Sequence, residues 1–158
     1  MCIRDSLQTY LGLRPARCWP ALRHRSSIRP EILGHADVLI LREMCGGAMF
    51  ATERGIEIDK DRRRGYDMTA YDEGEIARFA RGGFEMARRR NGRLVSCDKS
   101  NVMESYKLWR TVVSEIAEDY PDVEFANMFA DNCAYQMMMR PQDFDVVLCC
   151  NQLGDILS

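Results

Sequence analysis

Long apolar segments are absent from this sequence of 158 residues. Apolar runs such as residues 38–41 and 146–150 are far shorter than the roughly 20 residues that a membrane-spanning helix needs. The first six residues also lack the basic segment and the apolar stretch of a signal peptide. We therefore expect a cytoplasmic protein that has no membrane partner.

Recognisable metal-binding cysteine and histidine patterns are absent as well. The seven cysteines include no Cys-x-x-Cys pair, and the chain is larger than the small disulfide-stabilised scaffolds. Neither His24 nor His35 has other potential ligands near it in a zinc-site spacing. Cys149 and Cys150 are neighbours, so in a strand their side chains point to opposite faces. We expect reduced, mostly buried thiols and no zinc site.

The sequence has no large excess of charge of either sign. Its 22 basic and 24 acidic residues give a net charge of -2, so no overall field attracts nucleic acid or an anionic membrane. Arginine runs at residues 62–64 and 88–90 are flanked by acidic residues and are typical of solvated faces. A hydrophobic content of 46% excludes a disordered chain. The composition indicates a globular protein without a nucleic-acid partner.

Short apolar runs alternate with segments of helical periodicity. The runs predict buried strands over residues 36–42, 93–97, 123–126 and 145–149. Apolar residues at helical spacing predict helices over residues 75–90, 104–119 and 132–139. Residues 52–71 are polar and predict a hairpin arm, whereas three prolines make residues 1–30 look irregular. This alternation predicts an α/β layered fold.

Polar residues follow each predicted strand, at the position where α/β enzymes place their sites. They are Arg42 after the first strand, Lys99 after the second, Asp131 after the third, and Asn151 with Asp155 after the fourth. Loops at strand ends are polar in many proteins, so this pattern alone does not define a site.

The residue types nevertheless support one particular chemistry. Arg14 and Arg42 could bind a dicarboxylate through paired hydrogen bonds. Asp131 and Asp155 could hold Mg²⁺ or Mn²⁺, which prefer oxygen ligands. Such an ion polarises a hydroxyl or carbonyl oxygen, and Lys99 could take up the proton. Composition does not reveal hydride transfer, because no cofactor site is visible in these residues.

Ordered motifs extend over nearly the whole chain. They are LRP at residues 13–15, LREMCGG at 41–47, DKSNVME at 98–104, YPDV at 120–123 and NQLGDILS at 151–158. Together they resemble the isocitrate and isopropylmalate dehydrogenase family of β-decarboxylating enzymes. The Gly46-Gly47 pair makes the isopropylmalate branch the closer match.

The resemblance implies a layered α/β fold of the isopropylmalate dehydrogenase type, consisting mainly of its central dimerisation domain with a strand arm. Residues 1–13 would be the tail end of the first domain. Residues 14–158 would be the central substrate-binding, metal-binding and dimerisation domain, truncated at its C-terminus. We expect such a fragment to be inactive by itself.

The resemblance also implies a homodimer with a shared active site and a role for each matching residue. Arg4, Arg14 and Arg42 would bind the carboxylates of a 2-hydroxy dicarboxylate. Lys99 would act as general base or proton relay in the neighbouring subunit's site, and Asn101 would contact the nicotinamide of NAD. Asp131, donated across the dimer, and Asp155 would be ligands of Mg²⁺ or Mn²⁺. The reaction would oxidise the 2-hydroxyl of isopropylmalate with NAD and then release CO₂, a step of leucine biosynthesis.

One position departs from the family pattern. Met49 stands where the motif normally carries a tyrosine that protonates the enolate, and a thioether cannot donate a proton. Two alternatives therefore stay open: a paralogue acting on tartrate, malate or isocitrate, and a non-catalytic subunit. Tyr66, Tyr71 or Tyr106 could replace the missing acid, although an exposed or core position is the expected one for each tyrosine.

Overall fold

A computed structural model describes residues 9–158 of the chain. Its strands are β1 Leu11–Arg17, β2 Asp37–Glu43, β3 Arg54–Asp59, β4 Arg62–Asp67, β5 Arg93–Asp98, β6 Glu124–Phe129 and β7 Val146–Cys149. Its helices are α1 Pro30–Leu33, α2 Glu73–Arg88, α3 Glu104–Ala117, α4 Ala130–Met139 and α5 Asn151–Leu157. Strands and helices alternate over much of the chain, which confirms the predicted α/β fold.

Five strands form the main sheet, in the order β1-β2-β7-β5-β6. β1 is antiparallel to β2, and the other neighbouring strands are parallel. Arg42 lies opposite Cys149, and Cys149 lies opposite Cys97. Because parallel strands end at the same edge, the residues after β2, β7, β5 and β6 meet along one side of the molecule.

Two apolar clusters cover the two faces of this sheet. On one face, Leu41 and Leu148 pack with Phe79 of α2 and Trp109 of α3. On the other face, the sheet residues Ile40, Cys97, Val147 and Cys149 pack against Cys133 of α4 and Leu153 of α5. Cys149 and Cys150 belong to opposite faces, as the alternation of strand side chains predicts.

Strands β3 and β4 form a separate hairpin, which confirms the predicted arm. Lys60 and Asp61 adopt positive φ angles of 46° and 68° at its turn, a conformation typical of two-residue hairpin loops. Every residue of both strands is exposed in the single chain. Ile56 and Ile58 are each 77% exposed. The arm therefore extends away from the core of its own chain.

The expectation that residues 1–30 are irregular is wrong, because β1 lies within them. β1 is the edge strand of the sheet, and an edge position tolerates Pro15, which has no N–H to donate to a ladder. The arginines and the proline interrupt the apolar alternation that normally marks a strand. β1 also crosses the expected boundary between residues 13 and 14, and that boundary stays a prediction.

The ends of several elements differ from their predicted ends. β6 extends to Phe129, three residues beyond its predicted end, because pairing with β5 continues through the polar Asn127. Helix α2 begins at Glu73, after a capping box formed by Asp72 and Glu75. Over residues 9–158, no helix combines the length and the apolar character needed to cross a bilayer.

Candidate functional site

Arg42 is the centre of a buried polar cluster at the C-terminal end of β2. It is only 7% exposed. Its Nε and Nη2 donate hydrogen bonds of 3.0 and 2.9 Å to Oδ1 of Asn151. Its Nη1 donates to the carboxylate of Asp155, and its Nη2 lies 3.4 Å from Sδ of Met49. The guanidinium is therefore held in one orientation by side chains from two other segments.

The sheet register explains why α5 meets Arg42. Arg42 lies opposite Cys149 in the adjacent parallel strand, and α5 begins two residues after Cys149. The helix can approach closely because residue 154 is glycine: a Cβ there would lie 2.8 Å from Cβ of Arg42. Asn151, Gly154 and Asp155 are spaced i, i+3 and i+4, so they share the helix face that lies on the arginine.

Asn151 connects this arginine to two further parts of the fold. Its Nδ2 donates a 3.0 Å hydrogen bond to the carbonyl oxygen of Gly46, and its backbone N–H donates a 3.1 Å hydrogen bond to Oη of Tyr71. Asn151 is completely buried. Burial also raises the pKa of Tyr71, so this phenol stays protonated.

Glu43 holds the turn that follows β2. Its buried carboxylate accepts hydrogen bonds from the backbone N–H groups of Cys45 and Gly46. Burial raises the pKa of Glu43, and the two backbone hydrogen bonds oppose part of that effect. Gly47, with a φ of 75°, adopts a left-handed conformation that favours glycine. The turn brings Met49 back towards Arg42.

Arg14 lies on the same face of the sheet as Arg42. It is paired with Ile40, two residues before Arg42 on the neighbouring strand, and directly paired residues project to the same side. Arg14 is exposed, whereas Arg42 is buried. The predicted substrate residue Arg4 lies outside the described residues.

A second pair of predicted site residues meets at the ends of β5 and β6. Nζ of Lys99 lies 3.1 Å from Oδ1 of Asp131, with 30% and 73% of the two side chains exposed. Asp98 pairs with Phe129 at the ends of β5 and β6, so Lys99 and Asp131, which follow them, lie just beyond the same edge of the sheet. The hydrogen bond from Lys99 lowers the pKa of Asp131 below its usual range, so this carboxylate stays ionised.

The loop that carries Lys99 is anchored by its neighbour Asp98. This carboxylate is completely buried and accepts hydrogen bonds from Nε and Nη2 of Arg110, at 2.8 and 3.1 Å. It also accepts a 2.8 Å hydrogen bond from the backbone N–H of Ser100. Asn101 is exposed in the turn between β5 and α3. The predicted cofactor residue is thus accessible beside Lys99.

One chain brings the predicted residues together in two separate pairs. Within residues 9–158, no hydrogen bond or ion pair joins Arg42 and Asp155 to Lys99 and Asp131. The same part of the chain contains no group of three acidic, cysteine or histidine side chains able to hold a metal ion. Carboxylates suit Mg²⁺ or Mn²⁺ chemically, but a complete site needs further ligands.

From the sequence, Asn151 was expected only to follow a strand, and its contacts with Arg42, Gly46 and Tyr71 were not predicted. Arg42 and Asn151 are 109 positions apart, and the link between Asn151 and Tyr71 spans 80 positions. Arg110 was also missed as the partner of buried Asp98. The i, i+3, i+4 spacing of Asn151, Gly154 and Asp155, which would place them on one face of a helix, was the signal that could have indicated the cluster.

Comparison with known proteins gives concordant matches over the whole chain. A family model described as isocitrate/isopropylmalate dehydrogenase matches residues 1–158. The 3-isopropylmalate dehydrogenase of Zymomonas mobilis is 48% identical over 157 residues, covering 99% of this chain and 45% of the relative. The enzyme of that name from Pseudomonas fluorescens is also 48% identical, covering 99% of this chain and 44% of the relative. The chain thus spans less than half the length of these relatives.

Two solved structures have a similar fold. Isocitrate dehydrogenase from Methylococcus capsulatus superposes with a TM-score of 0.84 at 27% identity, covering 96% of this chain and 43% of that one. The TT0538 protein from Thermus thermophilus has a TM-score of 0.83 at 24% identity, covering 98% of this chain and 30% of that one. This second likeness supports the fold alone.

Proposed function

The chain belongs to the isocitrate/isopropylmalate dehydrogenase family, and from that premise we propose that the full-length protein is an NAD-dependent oxidative decarboxylase. Its substrate would be 3-isopropylmalate, its product 2-oxo-4-methylpentanoate, and its role leucine biosynthesis in the cytoplasm. The names of relatives that are 46–48% identical support this substrate. Residues 14–158 would form its central domain, and residues 1–13 the tail end of its first domain.

The observation that carries the proposal is the arrangement of two half-sites at one edge of the sheet. One chain presents Arg42 with Asp155 and, separately, Lys99 with Asp131. Neither pair has all the groups that the chemistry requires. A symmetric homodimer repeats both pairs and can complete two equivalent sites, each with Lys99 and Asp131 from the partner subunit.

Within such a site, the side chains of this chain have distinct tasks. Arg42 and Arg14, on one sheet face, would bind the substrate carboxylates, together with Arg4. Lys99 would take the proton from the 2-hydroxyl, while NAD accepts hydride from the carbon that bears this hydroxyl. Asn101 would contact the nicotinamide end of NAD.

Asp155 and Asp131 of the partner subunit would hold Mg²⁺ or Mn²⁺ together with ligands from the rest of the full-length protein. When bound, the ion supplies Lewis acidity at the substrate oxygen. Arg42 hydrogen-bonds Asp155, which brings the substrate-binding and metal-binding groups into direct contact. The carboxylates of the substrate and its reacting hydroxyl would therefore be held by adjacent groups.

The direct test is expression of the full-length gene and measurement of NADH formation from 3-isopropylmalate with Mg²⁺. We expect turnover that EDTA abolishes and added Mn²⁺ or Mg²⁺ restores. We expect no turnover from residues 1–158 alone. Absence of turnover by the full-length protein at high enzyme concentration would contradict the proposal.

Met49 favours a second candidate function, a paralogue with another 2-hydroxy acid substrate or a non-catalytic subunit. Its thioether contacts the substrate arginine where the resemblance implies a tyrosine. Comparing kcat/KM for 3-isopropylmalate, tartrate, malate and isocitrate distinguishes these substrates. A full-length protein that turns over none of them, yet raises the activity of a catalytic partner, would support the non-catalytic subunit.

A further inference from the structure

We propose that Asn151 is a positioning residue that sets how Arg42 binds substrate, an inference that rests on the proposed function. Asn151 is buried and touches Arg42 through a single oxygen atom. It therefore acts on the substrate through the arginine. Its predicted effect is on the affinity for the hydroxy dicarboxylate and not on the affinity for NAD.

The contact selects one edge of the guanidinium for the substrate. An arginine can offer a carboxylate two edges, the Nε–Nη2 side and the Nη1–Nη2 end. Oδ1 of Asn151 occupies the first edge, with hydrogen bonds of 3.0 and 2.9 Å. The second edge is directed towards Asp155 and Met49. Because Asn151 is buried, a substrate carboxylate can approach only the end, where it would share the guanidinium with the half-exposed carboxylate of Asp155.

The orientation of the Asn151 amide is itself determined by hydrogen bonds. Nδ2 donates to the carbonyl oxygen of Gly46, so Oδ1 must be the atom that faces Arg42. The backbone N–H donates to Oη of Tyr71, which fixes the start of α5. The side chain therefore joins β2 to the turn at Gly46, and the backbone N–H joins α5 to Tyr71, so four segments meet at this one residue.

The neutrality of the amide has a chemical consequence. An asparagine oxygen accepts hydrogen bonds from the guanidinium without adding a second negative charge to that of Asp155, so the site keeps more positive charge for the substrate. An aspartate at this position would bring a carboxylate to Nε and Nη2 and would neutralise part of the charge that attracts the substrate to the other edge. The structure thus explains why an amide, and not an acid, suits residue 151.

The first experiment compares Asn151→Asp with Gln152→Glu in the full-length enzyme. Both variants change an amide to an acid, but Gln152 is exposed whereas Asn151 is buried against Arg42. We expect Asn151→Asp to raise KM for the hydroxy dicarboxylate roughly ten- to a hundredfold, since hydrogen bonds to charged groups have effects of that size. KM for NAD should stay unchanged, and Gln152→Glu should resemble the wild type. An unchanged substrate KM in Asn151→Asp would overturn the proposal.

A double-mutant cycle separates positioning from a general structural role. Asn151→Ser should lower kcat/KM strongly in the wild type but only slightly in the Arg42→Lys background, because both changes affect one contact. Losses that multiply in the double variant would show that Asn151 acts independently of Arg42, and the proposal would fail.

Crystal structures of the full-length wild type and of Asn151→Ser provide a readout that does not need turnover. We expect the Arg42 guanidinium to leave its position in the variant while β2 and α5 stay in place. If the wild type has no dehydrogenase activity but this displacement occurs, the proposed function fails and the positioning role stands. An unmoved guanidinium would overturn the positioning role. If Asn151→Ser does not fold, the nearly isosteric Asn151→Asp replaces it in the double-mutant cycle.

Discussion

At the scale of single residues, the side chain beside Arg42 that departs from the family pattern is Met49. Met49 is 37% exposed, and its sulfur lies 3.4 Å from Nη2 of Arg42. A thioether is a weak acceptor and has no proton to donate. The family resemblance places a proton-donating tyrosine at this position, so the chain lacks that acid while it keeps the arginine. The other candidate tyrosines are poor substitutes: Tyr71 and Tyr106 are buried, and Tyr66 is on the exposed arm.

Restoring the hydroxyl should therefore accelerate the reaction. We predict that Met49→Tyr raises kcat of the full-length enzyme by roughly 10²- to 10⁴-fold, the usual contribution of a general acid. Met49→Phe is the control, because it adds the ring without the hydroxyl. Steady-state kinetics with 3-isopropylmalate would measure the difference. Equal gains in both variants would assign the effect to ring packing and contradict the role of the acid.

Thiol reactivity should follow burial residue by residue. Among the described cysteines, Cys45 is exposed and Cys18 is partly exposed, whereas the other four are buried. Burial raises the pKa of Cys150. The pKa of Cys133 is also raised, mainly by its hydrogen bond with Cys97 and secondly by burial. Burial also raises the pKa of Cys45, so the difference in reactivity that we expect rests on the access of the reagent to the exposed sulfur.

We predict that iodoacetamide at pH 8 modifies Cys45 and Cys18 of the native chain before any of the four buried cysteines. Peptide mass spectrometry after brief labelling would identify the modified sites. The urea-unfolded chain serves as the control, in which all described cysteines should react. Early modification of Cys97 or Cys149 in the native chain would contradict the packing described for this face of the sheet.

At the scale of elements, the contact between α2 and the sheet depends on a glycine. A Cβ at Gly83 would lie 2.5 Å from Cδ1 of Leu148, a core side chain that is fully buried. A Cβ at the adjacent Gly82 would meet the flexible end of Leu11 at 3.0 Å and Oη of Tyr10 at an ordinary contact distance of 3.8 Å. The two neighbouring glycines therefore differ in their tolerance of a methyl group, although both lie within one helix.

This difference gives a matched pair of variants. Gly83→Ala should lower the free energy of unfolding by about 1–3 kcal/mol, because overpacking of a core forces its neighbours to shift. Gly82→Ala should be neutral or slightly stabilising, because alanine favours helices by up to about 1 kcal/mol over glycine. Urea unfolding of the two variants and the wild type would measure the effect. Equal stabilities would contradict the close packing of α2 on Leu148.

At the scale of the whole molecule, two features of the described residues support the proposed homodimer. The arm formed by β3 and β4 is exposed on all sides, and isolated two-stranded hairpins are only marginally stable in water. The site residues likewise form two incomplete pairs. A homodimer with a shared site accounts for both features, and it stays a proposal.

A mixing experiment tests the shared site. Full-length Lys99→Met and Asp155→Asn should each be inactive, because each dimer lacks one essential group in both sites. After unfolding and refolding together, half of the dimers should be mixed, each with one intact site, which restores about one quarter of the wild-type activity. Variants refolded separately and then combined provide the control. No recovery in well-folded mixed dimers would exclude a site shared in this way.

Much of the fold was predictable from local patterns. The core strands β2, β5 and β7 are short apolar runs, and α2 and α3 carry apolar side chains at helical spacing, because burial of one face imposes that spacing. The turn residues Lys60 and Asp61 are consistent with the predicted arm. β1 escaped prediction because an edge strand buries less, and its sequence can include Arg14 and Pro15.

Local sequence patterns are thus enough to predict the layered α/β type, the arm and the polar residues at strand ends, because periodicity and motifs each span a few neighbouring positions. Three contacts depend on how the chain folds: Asn151 accepts hydrogen bonds from Arg42, its backbone N–H donates to Tyr71, and Lys99 pairs with Asp131 away from Arg42. Those contacts join positions tens of residues apart. Strand order and register bring them together, and no local pattern along the chain encodes that order.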